Sequence, residues 1–429
     1  MFRTLVKRIL KFQATLVMQK FHPRVVAVTG SVGKTSTKEA IGEVLSRRFH
    51  TRRNPKSYNS EFGVPLTILG LSSEWNSKIG WIKNILKGFR PLFSSDYPEI
   101  LVLEMGVDRP GDLDYMVEIA HPFVGVVTAI GEVPVHVEYF SGPKALAYEK
   151  GKILRATAPE GFSILNFDDE VVYDMRHEAR GTILTYGFSK EADITISQYR
   201  LTSVRKDGQD VPEGIVFKLD YKGSNVPVRL EGSFGKQQAY TVAAAVAVGL
   251  ALGMHLVEAV ESLGAYTAPP GRLKLVEGIK GSWILDDTYN ASPMAMHAAL
   301  NVLEEAPGKR KIAVLGDMLE IGKFTIQAHQ MMGEIVGRFA DAIFTVGPRA
   351  KFIAKEALER GMARTRVFEF SNSEEVGRAV QDFIEPGDLI LVKGSQGVRM
   401  ERITEEIMAH PEDAPRLLCR QEEYWKNKA

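Results

Sequence analysis

Residues 25–36, with the sequence VVAVTGSVGKTS, constrain the fold of this chain more strongly than any other stretch. Apolar residues 25–28 are followed by a loop of small residues, and apolar positions at helical spacing begin directly after the loop. A strand, a glycine loop, a Lys-Thr pair and a helix in this order bind polyphosphates, because bare backbone N–H groups and a helix N-terminus face the anion. We therefore predict a nucleotide-binding loop. Its members are Thr29, Gly30, Ser31, Val32, Gly33, Lys34, Thr35 and Ser36.

The composition is that of an ordinary soluble globular protein, and it argues against several classes of partner and site. The chain has 429 residues, of which 45% are hydrophobic and 25% charged, so two or three domains are expected. A formal net charge of +1 gives no general attraction to nucleic acid, and no nucleic-acid partner is predicted. The single cysteine, Cys419, excludes an internal disulfide and a cysteine-cluster zinc site. It fits a reducing compartment, and we expect a cytoplasmic protein.

The order of apolar and polar patterns predicts an α/β fold. Residues 24–187 alternate short apolar runs with helical patterns, which is typical of a mainly parallel sheet covered by helices. Residues 190–233 alternate apolar and polar side chains, which predicts a small antiparallel sheet. After a linker at residues 267–272 (TAPPGR), the strand and helix patterns begin again and predict a Rossmann-like C-terminal domain. The predicted domains are an N-terminal basic amphipathic helix (1–23), a central nucleotide-binding domain (24–268) and a C-terminal domain (269–429).

Two basic stretches admit two interpretations. Residues 1–22 and residues 75–93 both place lysine and arginine between apolar residues at helical spacing. We favour amphipathic helices that pack on the first domain and turn their charged side chains to solvent. The alternative is that the two stretches form a patch that contacts an anionic membrane surface.

Three side chains outside the loop carry potential chemistry. Glu104 ends the apolar run EILVLEM, and a carboxylate at a strand end beside a phosphate loop can hold Mg²⁺. His136 lies in GEVPVHVEYF and Lys150 in AYEKGKI. Taken alone, His136 is more simply a structural histidine, and Lys150 a solvated lysine on a helix.

Taken together, these motifs resemble the Mur ligase family, the ATP-dependent amino-acid and peptide ligases of peptidoglycan precursor synthesis. The family has a short phosphate loop with two residues between its glycines, as in TGSVGKTS here, whereas the common loop has four. Its other motifs are similar to stretches that follow in the same order. These are Glu104-Met105-Gly106, residues 131–140 with His136, Glu149-Lys150-Gly151, Pro270-Gly271-Arg272, residues 286–290 (DDTYN), residues 315–318 (LGDM) and Lys393-Gly394-Ser395.

The resemblance implies a ligase that uses ATP to convert a muramoyl-peptide carboxylate into an acyl phosphate, which the amine of D-alanyl-D-alanine then attacks. It implies two Mg²⁺ ions, one held by Thr35 and Glu104 and the other by His136 and a carbamylated Lys150. Lys34, Glu104, His136 and Lys150 are the predicted catalytic residues. Gln238, Arg272, Asp287 and Asn290 are predicted to join the loop in binding ATP, and Asn59, Lys393 and Ser395 to bind substrate. We expect the enzyme to act as a monomer.

The chain departs from the family pattern in three places. About 23 residues precede the phosphate strand, where the family usually has a domain for the UDP end of its substrate, and we expect that domain to be lacking. Gln237-Gln238 stand where the family has His-Asn near the adenine, and residues 75–93 look like an insertion. Two further functions therefore stay open. They are ligation of another carboxylate, such as a lipid-linked precursor or a poly-amino acid, and a non-catalytic nucleotide-binding regulator.

Overall fold

The computed structural model describes residues 2–55, 58–74, 77–206 and 208–426, and within them the chain forms two β-sheets. The first sheet contains β1 (Arg24–Thr29), β2 (Thr51–Arg53), β3 (Ile100–Glu104), β4 (Val124–Val127), β5 (Phe162–Asn166), β6 (Thr182–Gly187), β7 (Ile194–Lys206), β8 (Gln209–Tyr221) and β9 (Ser224–Glu231). The second contains β10 (Lys274–Glu277), β11 (Trp283–Asp287), β12 (Lys311–Gly316), β13 (Ala342–Val346), β14 (Val367–Phe370) and β15 (Leu389–Lys393).

Helices cover both faces of each sheet. Those of the first half are α1 (Phe2–Phe21), α2 (Lys34–Ser46), α3 (Gly63–Leu69), α4 (Lys78–Lys87), α5 (Asp112–Ile119), α6 (Pro143–Arg155), α7 (Glu170–Asp174), α8 (Lys236–Ala251) and α9 (Leu256–Glu261). Those of the second half are α10 (Pro293–Glu305), α11 (Thr325–Val336), α12 (Lys351–Glu359), α13 (Val376–Phe383), α14 (Glu401–Ile407), α15 (Ala414–Leu417) and α16 (Glu423–Lys426).

The first sheet has the strand order β2-β3-β1-β4-β5-β6-β7-β8-β9. The pairs from β2 to β7 are parallel, whereas β8 pairs antiparallel with both β7 and β9. The predicted α/β class is confirmed, and the antiparallel strands extend the parallel sheet. Because β1 lies between β3 and β4, the phosphate loop follows an interior strand at the carboxyl edge, where such sheets bind ligands.

The buried run of β1 shows why this strand is apolar at every position. Val26 and Val28 pack in the core that contains α2 and α8, and Val25 and Ala27 pack in the core on the opposite face. A parallel strand covered on both faces requires such a continuous apolar run. Helix α8, which is rich in alanine, is buried along most of its length, as predicted.

The second sheet has the strand order β10-β11-β15-β12-β13-β14, with β10 antiparallel to β11 and the other pairs parallel. This arrangement confirms the second α/β unit that was predicted after the Pro-Pro-Gly linker. Residues in the loops after β11, β12 and β15 line a cavity together with residues of the phosphate loop. The two sheets therefore bring their carboxyl-end loops to one site.

The N-terminal stretch forms α1 and packs on the first sheet. Val6, Leu10, Ala14 and Val17 are buried against the core that contains β1 and β3. The predicted packing of this helix is thus confirmed. The second basic stretch contains α4, while its first two residues, 75 and 76, lie outside the described residues. Among the helices of the described chain, none has the length and apolar character needed to cross a membrane.

Candidate active site

The phosphate loop is held in shape by its own glycines and by the loop after β4. Gly30 has φ +142° and Gly33 has φ +88°, a region that side chains rarely adopt. A Cβ atom on Gly30 would lie 2.1 Å from Thr128 Oγ1, so only glycine fits there. The N–H groups of Ser31 and Val32 donate to the carbonyl oxygen of Ala129, at 2.6 and 3.1 Å. Helix α2 starts at Lys34, and the N–H groups of its first turn have no partner within the helix.

Glu104 lies at the end of β3 beside this loop. Its carboxylate is buried, Oε1 accepts a hydrogen bond of 2.9 Å from Asn59 Nδ2, and Oε2 has no hydrogen-bond partner. Asn54 fixes the backbone here, because it donates to the Glu104 carbonyl and accepts from the Glu104 N–H. A buried carboxylate oxygen without a partner is costly unless something binds it. The geometry therefore fits a cation at Oε2.

His136 connects the first half of the chain with the second. Its φ of +71° is left-handed, a strained conformation of the kind that clusters at functional sites. Nε2 lies 3.4 Å from Asp108 Oδ1, and Nδ1 lies 3.1 Å from Glu320 Oε2 in a geometry that is not a hydrogen bond. Glu320 follows β12 and has a left-handed φ of +62° as well. His136 is therefore surrounded by carboxylates from both halves.

Two lysines give the loop its electrostatic character. Lys150 is 1% exposed, and its Nζ donates to the carbonyl of Gly30 at 3.0 Å. Burial, together with the charge of Lys34, holds the pKa of Lys150 well below its usual value. Burial likewise lowers the pKa of Lys34, whereas the carboxylate of Glu104 opposes that shift. An ammonium in this place is destabilised until negative charge reaches it, which suits a site for polyphosphate.

The second half contributes a cation and several polar groups to the same place. The guanidinium of Arg272 stacks 3.9 Å from the ring centre of Tyr289, and its buried Nε has no hydrogen-bond partner. Asn290 Oδ1 accepts from the N–H of Ala291 at 2.9 Å. Ser395 Oγ accepts from the N–H of Leu319 at 2.9 Å, which links the loops after β12 and β15.

Ser31, Lys34, Glu104, His136 and Arg272 line one cavity of about 460 Å³ between the two halves. Eight buried side-chain nitrogen or oxygen atoms of the described residues have no hydrogen-bond partner, and four belong to residues that line this cavity. They are Ser31 Oγ, Glu104 Oε2, His136 Nδ1 and Arg272 Nε. Buried polar groups are normally paired, so their concentration here marks a binding site.

Eleven of the residues predicted for the site line the cavity. They are Ser31, Val32, Gly33, Lys34, Thr35, Asn59, Glu104, His136, Arg272, Asn290 and Ser395. The other seven do not line it and lie in the layer behind it: Thr29, Gly30, Ser36, Lys150, Gln238, Asp287 and Lys393. The first set faces the cavity directly, and the second lies behind it.

The contacts of the second set show what each residue holds in place. Lys393 Nζ donates to Asp287 Oδ2 at 2.5 Å and to the carbonyl of Asn290 at 3.0 Å, so this buried pair fixes the loop after β11. Gln238 accepts from the hydroxyl of Tyr266 at 3.0 Å and donates to the carbonyl of Arg272 at 3.4 Å. Its amide thus supports the linker.

Sequence reasoning missed several residues of the cavity. Asp108 and Glu320 face His136, and the ring of Tyr289 stacks on the guanidinium of Arg272. Asp108 follows Glu104 by four residues, and Glu320 and Tyr289 lie in the runs LGDMLEIG and DDTYN, so a signal was present. Trp425, near the end of the described chain, lines the cavity with no sequence pattern to announce it.

The cavity fits Mg²⁺ bound together with phosphate. No group of three or more His, Cys, Asp or Glu side chains in the described part of the chain is placed to hold a metal by itself. Mg²⁺ in nucleotide sites is usually bound by one or two carboxylates, by phosphate oxygens and by water. The unpartnered oxygen of Glu104 beside Thr35 of the phosphate loop meets that requirement.

The fold and the cavity thus define a phosphate-loop protein with a nucleotide site between two α/β units. The family model of the Mur ligase middle domain matches residues 28–249, and that of the Mur ligase, glutamate ligase domain matches residues 271–396. This chain belongs to the Mur ligase family, whose members are ATP-dependent ligases that form amide bonds.

Individual relatives are similar over most of the chain. The UDP-N-acetylmuramoyl-tripeptide–D-alanyl-D-alanine ligase of Bacillus subtilis is 29% identical over 405 residues, which cover 93% of this chain and 79% of the relative. The crystal structure of MurF from Acinetobacter baumannii matches with a TM-score of 0.76 and 27% identity, over 94% of this chain and 79% of that chain. MurF ligase from Thermotoga maritima in complex with ADP matches with a TM-score of 0.75 and 27% identity, over 95% of this chain and 84% of that chain.

Proposed function

We propose that this chain adds D-alanyl-D-alanine to a UDP-N-acetylmuramoyl tripeptide, with conversion of ATP to ADP and phosphate, in peptidoglycan precursor synthesis. The observation that carries the proposal is the cavity in which the phosphate loop meets Glu104, His136 and Arg272, with buried polar atoms left unpaired. Relatives that carry the name of this activity support the choice of substrates.

The chemistry requires activation of a carboxylate, because a free carboxylate is a poor acyl donor. A carboxylate oxygen attacks the γ-phosphorus of ATP and ADP leaves, which gives an acyl phosphate. The amine of the dipeptide then attacks the acyl carbon, phosphate leaves and the amine loses its proton. Lys34 and the first-turn N–H groups of α2 stabilise negative charge on the phosphates, and Arg272 approaches them from the other half. Such placement of donors and charges is the main source of catalysis in phosphoryl transfer.

Two Mg²⁺ ions are part of the proposal. Thr35 and Glu104 would hold one and His136 and Lys150 the other, and the ions would neutralise charge on the phosphates and the acyl oxygen. Lys150 is buried behind the loop, and burial lowers its pKa, which favours the uncharged amine, the form that reacts with CO₂. The amine nitrogen bonds to the carbon of CO₂ and loses a proton, so that the lysine becomes an anionic carbamate.

Carbamylation of Lys150 has a readout that is independent of activity. After incubation with isotope-labelled CO₂ and chemical trapping, the label is expected on the peptide that contains Lys150. The matched control is Lys152, a lysine of the same helix whose Nζ is paired with Asp114 and Glu149. Label on Lys152 and none on Lys150 would contradict this assignment.

The remaining expectations are proposals of the same kind. We assign residues 1–23, 24–268 and 269–429 to an N-terminal helix, a central ATP-binding domain and a C-terminal domain. The two sheets, which share no strand among the described residues, support the last boundary. We also propose that the enzyme acts in the cytoplasm, where ATP and UDP-linked precursors are found, and that it acts as a monomer.

The test is phosphate release from ATP and Mg²⁺, with UDP-N-acetylmuramoyl tripeptide and D-alanyl-D-alanine supplied separately and then together. Release should require both substrates and should be abolished in Lys34→Ala, whose thermal unfolding should stay close to that of the unchanged protein. Lys323→Ala, which changes an exposed lysine outside the cavity, is the control. No release with the pair, in protein that still binds ATP, would refute the proposed substrates. The next candidates would then be other carboxylates, lipid-linked precursors first.

A further inference from the structure

Helix α1 has a second apolar face that does not pack on the protein. Its inner face is buried in the core. On the outer face, Leu5 is 56% exposed and Phe12 is 59% exposed, and Ile9 and Leu16 lie between and beyond them at helical spacing, half-buried. An amphipathic helix of a soluble protein normally places polar side chains on this side.

The second basic stretch has the same character. On α4, Ile79, Ile82 and Leu86 are exposed by 69%, 54% and 70%, at spacings of three and four residues. Phe93, shortly after the helix, is 88% exposed. Single exposed apolar residues are ordinary, but a stripe of this length on each of two helices marks an interaction surface.

Helix α1 is hydrogen-bonded to α4 and to the segment that follows α4. Gln13 Nε2 of α1 donates to the carbonyl of Ile85 at 2.7 Å, and Lys20 Nζ donates to the carbonyls of Leu92 and Ser94 at 2.8 and 3.1 Å. Their exposed stripes therefore belong to one part of the surface. We call the exposed side chains of residues 2–21 and 77–93 the basic face.

The charge of the basic face has a single sign. Residues 2–21 and 77–93 contain nine lysines and arginines and no aspartate or glutamate. They are Arg3, Lys7, Arg8, Lys11, Lys20, Lys78, Lys83, Lys87 and Arg90. Of the acids around them, Glu61 pairs with Lys7 and Glu118 with Lys11, Glu74 lies against Gly80 of α4, and Asp96 lies beyond Phe93. The remainder of the face keeps a strong positive excess in a chain whose formal net charge is only +1.

We propose that the basic face binds the surface of an anionic lipid bilayer, with α1 and α4 lying in the plane of the surface. The combination of apolar side chains with flanking lysine and arginine is what an anionic interface attracts, because the apolar groups enter the acyl boundary and the cations stay among the headgroups. Self-association through the same face would bring two sets of like charges together, which disfavours a second copy as the occupant. The proposal does not depend on the substrates of the cavity.

The test is co-sedimentation of the full chain with vesicles of phosphatidylcholine alone or of equal parts phosphatidylcholine and phosphatidylglycerol. Binding is expected only to the anionic vesicles, and added salt should weaken it. Lys83→Gln with Lys87→Gln should lower the partition constant by about 25-fold, since each cation contributes about fivefold. Leu5→Ser with Phe12→Ser should lower it at least as much.

The matched control is Val257→Ser with Ile326→Ser, which removes two similarly exposed apolar side chains, 53% and 52% exposed, away from the basic face. It should bind vesicles as the unchanged chain does. Because all the changed side chains are exposed, thermal unfolding should stay close to the original. Failure to sediment with anionic vesicles at low salt would overturn the proposal. So would equal binding to neutral vesicles, or a dimer that Leu5→Ser with Phe12→Ser dissociates.

Discussion

Thr128 closes the phosphate loop, and its hydroxyl offers a sharp test of the loop geometry. This hydroxyl lies 2.7 Å from the carbonyl oxygen of Val32 and 3.1 Å from that of Thr29. The Thr29 carbonyl also accepts from the N–H of Thr128 at 3.0 Å, so it keeps a donor if the hydroxyl is removed. Thr128→Val keeps the shape of the side chain and takes this donor away from the Val32 carbonyl.

The expected size of the effect follows from the value of one buried hydrogen bond. Leaving a buried acceptor without its donor costs about 1–3 kcal/mol, and the part-buried carbonyl of Val32 belongs at the lower end of this range. When the loop carries that cost, the fraction of molecules with a binding-competent loop falls, and the apparent affinity for ATP falls with it. About 1 kcal/mol corresponds to about fivefold. We therefore expect the KM for ATP in the phosphate-release assay to rise about fivefold or more.

Thr157→Val is the matched control. Thr157 is also buried and donates to a backbone carbonyl, that of Ile153, at 2.8 Å, but it lies outside the cavity. Both variants should lose similar thermal stability, whereas only Thr128→Val should raise the KM for ATP. An unchanged KM in Thr128→Val, together with an equal loss of stability in both variants, would show that this hydroxyl does not hold the loop in its ATP-binding shape.

Three further variants test buried polar groups in and behind the cavity. Asn59→Ala removes the 2.9 Å hydrogen bond to Glu104, so we expect phosphate release to require more Mg²⁺ in a titration, by about tenfold for a charged hydrogen bond. Burial raises the pKa of the Asp286 carboxyl from 3.8 to about 7. The protonated carboxyl therefore contributes its full stability to the fold below pH 3.8, and this stability is lost as the pH rises towards 7. Asp286→Asn should remove that fall in the unfolding midpoint. Lys393→Met should cost about 3–5 kcal/mol in denaturant unfolding, because it leaves the carboxylate of Asp287 buried and unpaired, and adding Asp287→Leu should recover most of the loss.

Each of these variants has a control or a contradicting outcome. Asn84→Ala breaks a similarly buried asparagine bond, 2.7 Å to the carbonyl of Ser72, and should leave the Mg²⁺ requirement unchanged. Asp96→Asn alters an exposed carboxylate, so it should keep the original pH profile. If the Lys393 and Asp287 double variant were less stable than Lys393→Met alone, the buried charge would not be the cause.

The fold was predictable from the sequence wherever burial dictates composition. The run at residues 25–28 is apolar at every position because β1 is covered on both faces, and the glycines of the loop are needed for its backbone and close contacts. By contrast, β2 has three half-buried residues, Thr51 to Arg53, without an apolar pattern. It forms because β3 offers it an edge, which a local pattern cannot reveal.

The sequence predicts most residues of the site, but it does not predict which of them line the cavity and which support those that do. Motif positions identified Glu104 and His136, and both line the cavity. Whether a residue touches the ligand or supports one that does depends on tertiary packing. Lys393 is held by Asp287, and Gln238 turns to Tyr266, through contacts between residues far apart in the chain. Trp425 lines the cavity although it lies near the end of the described chain.

We propose that this enzyme uses ATP to join a carboxylate to an amine in the cavity. The test uses UDP-N-acetylmuramoyl tripeptide in which the carboxylate that is to be activated carries heavy oxygen. It is incubated with D-alanyl-D-alanine, ATP and Mg²⁺, and all products are analysed by mass spectrometry. We expect a pentapeptide product and one heavy oxygen transferred to the released phosphate, because the carboxylate oxygen leaves with it. Phosphate without heavy oxygen, or ADP formation without a pentapeptide, would exclude an acyl phosphate route to this product.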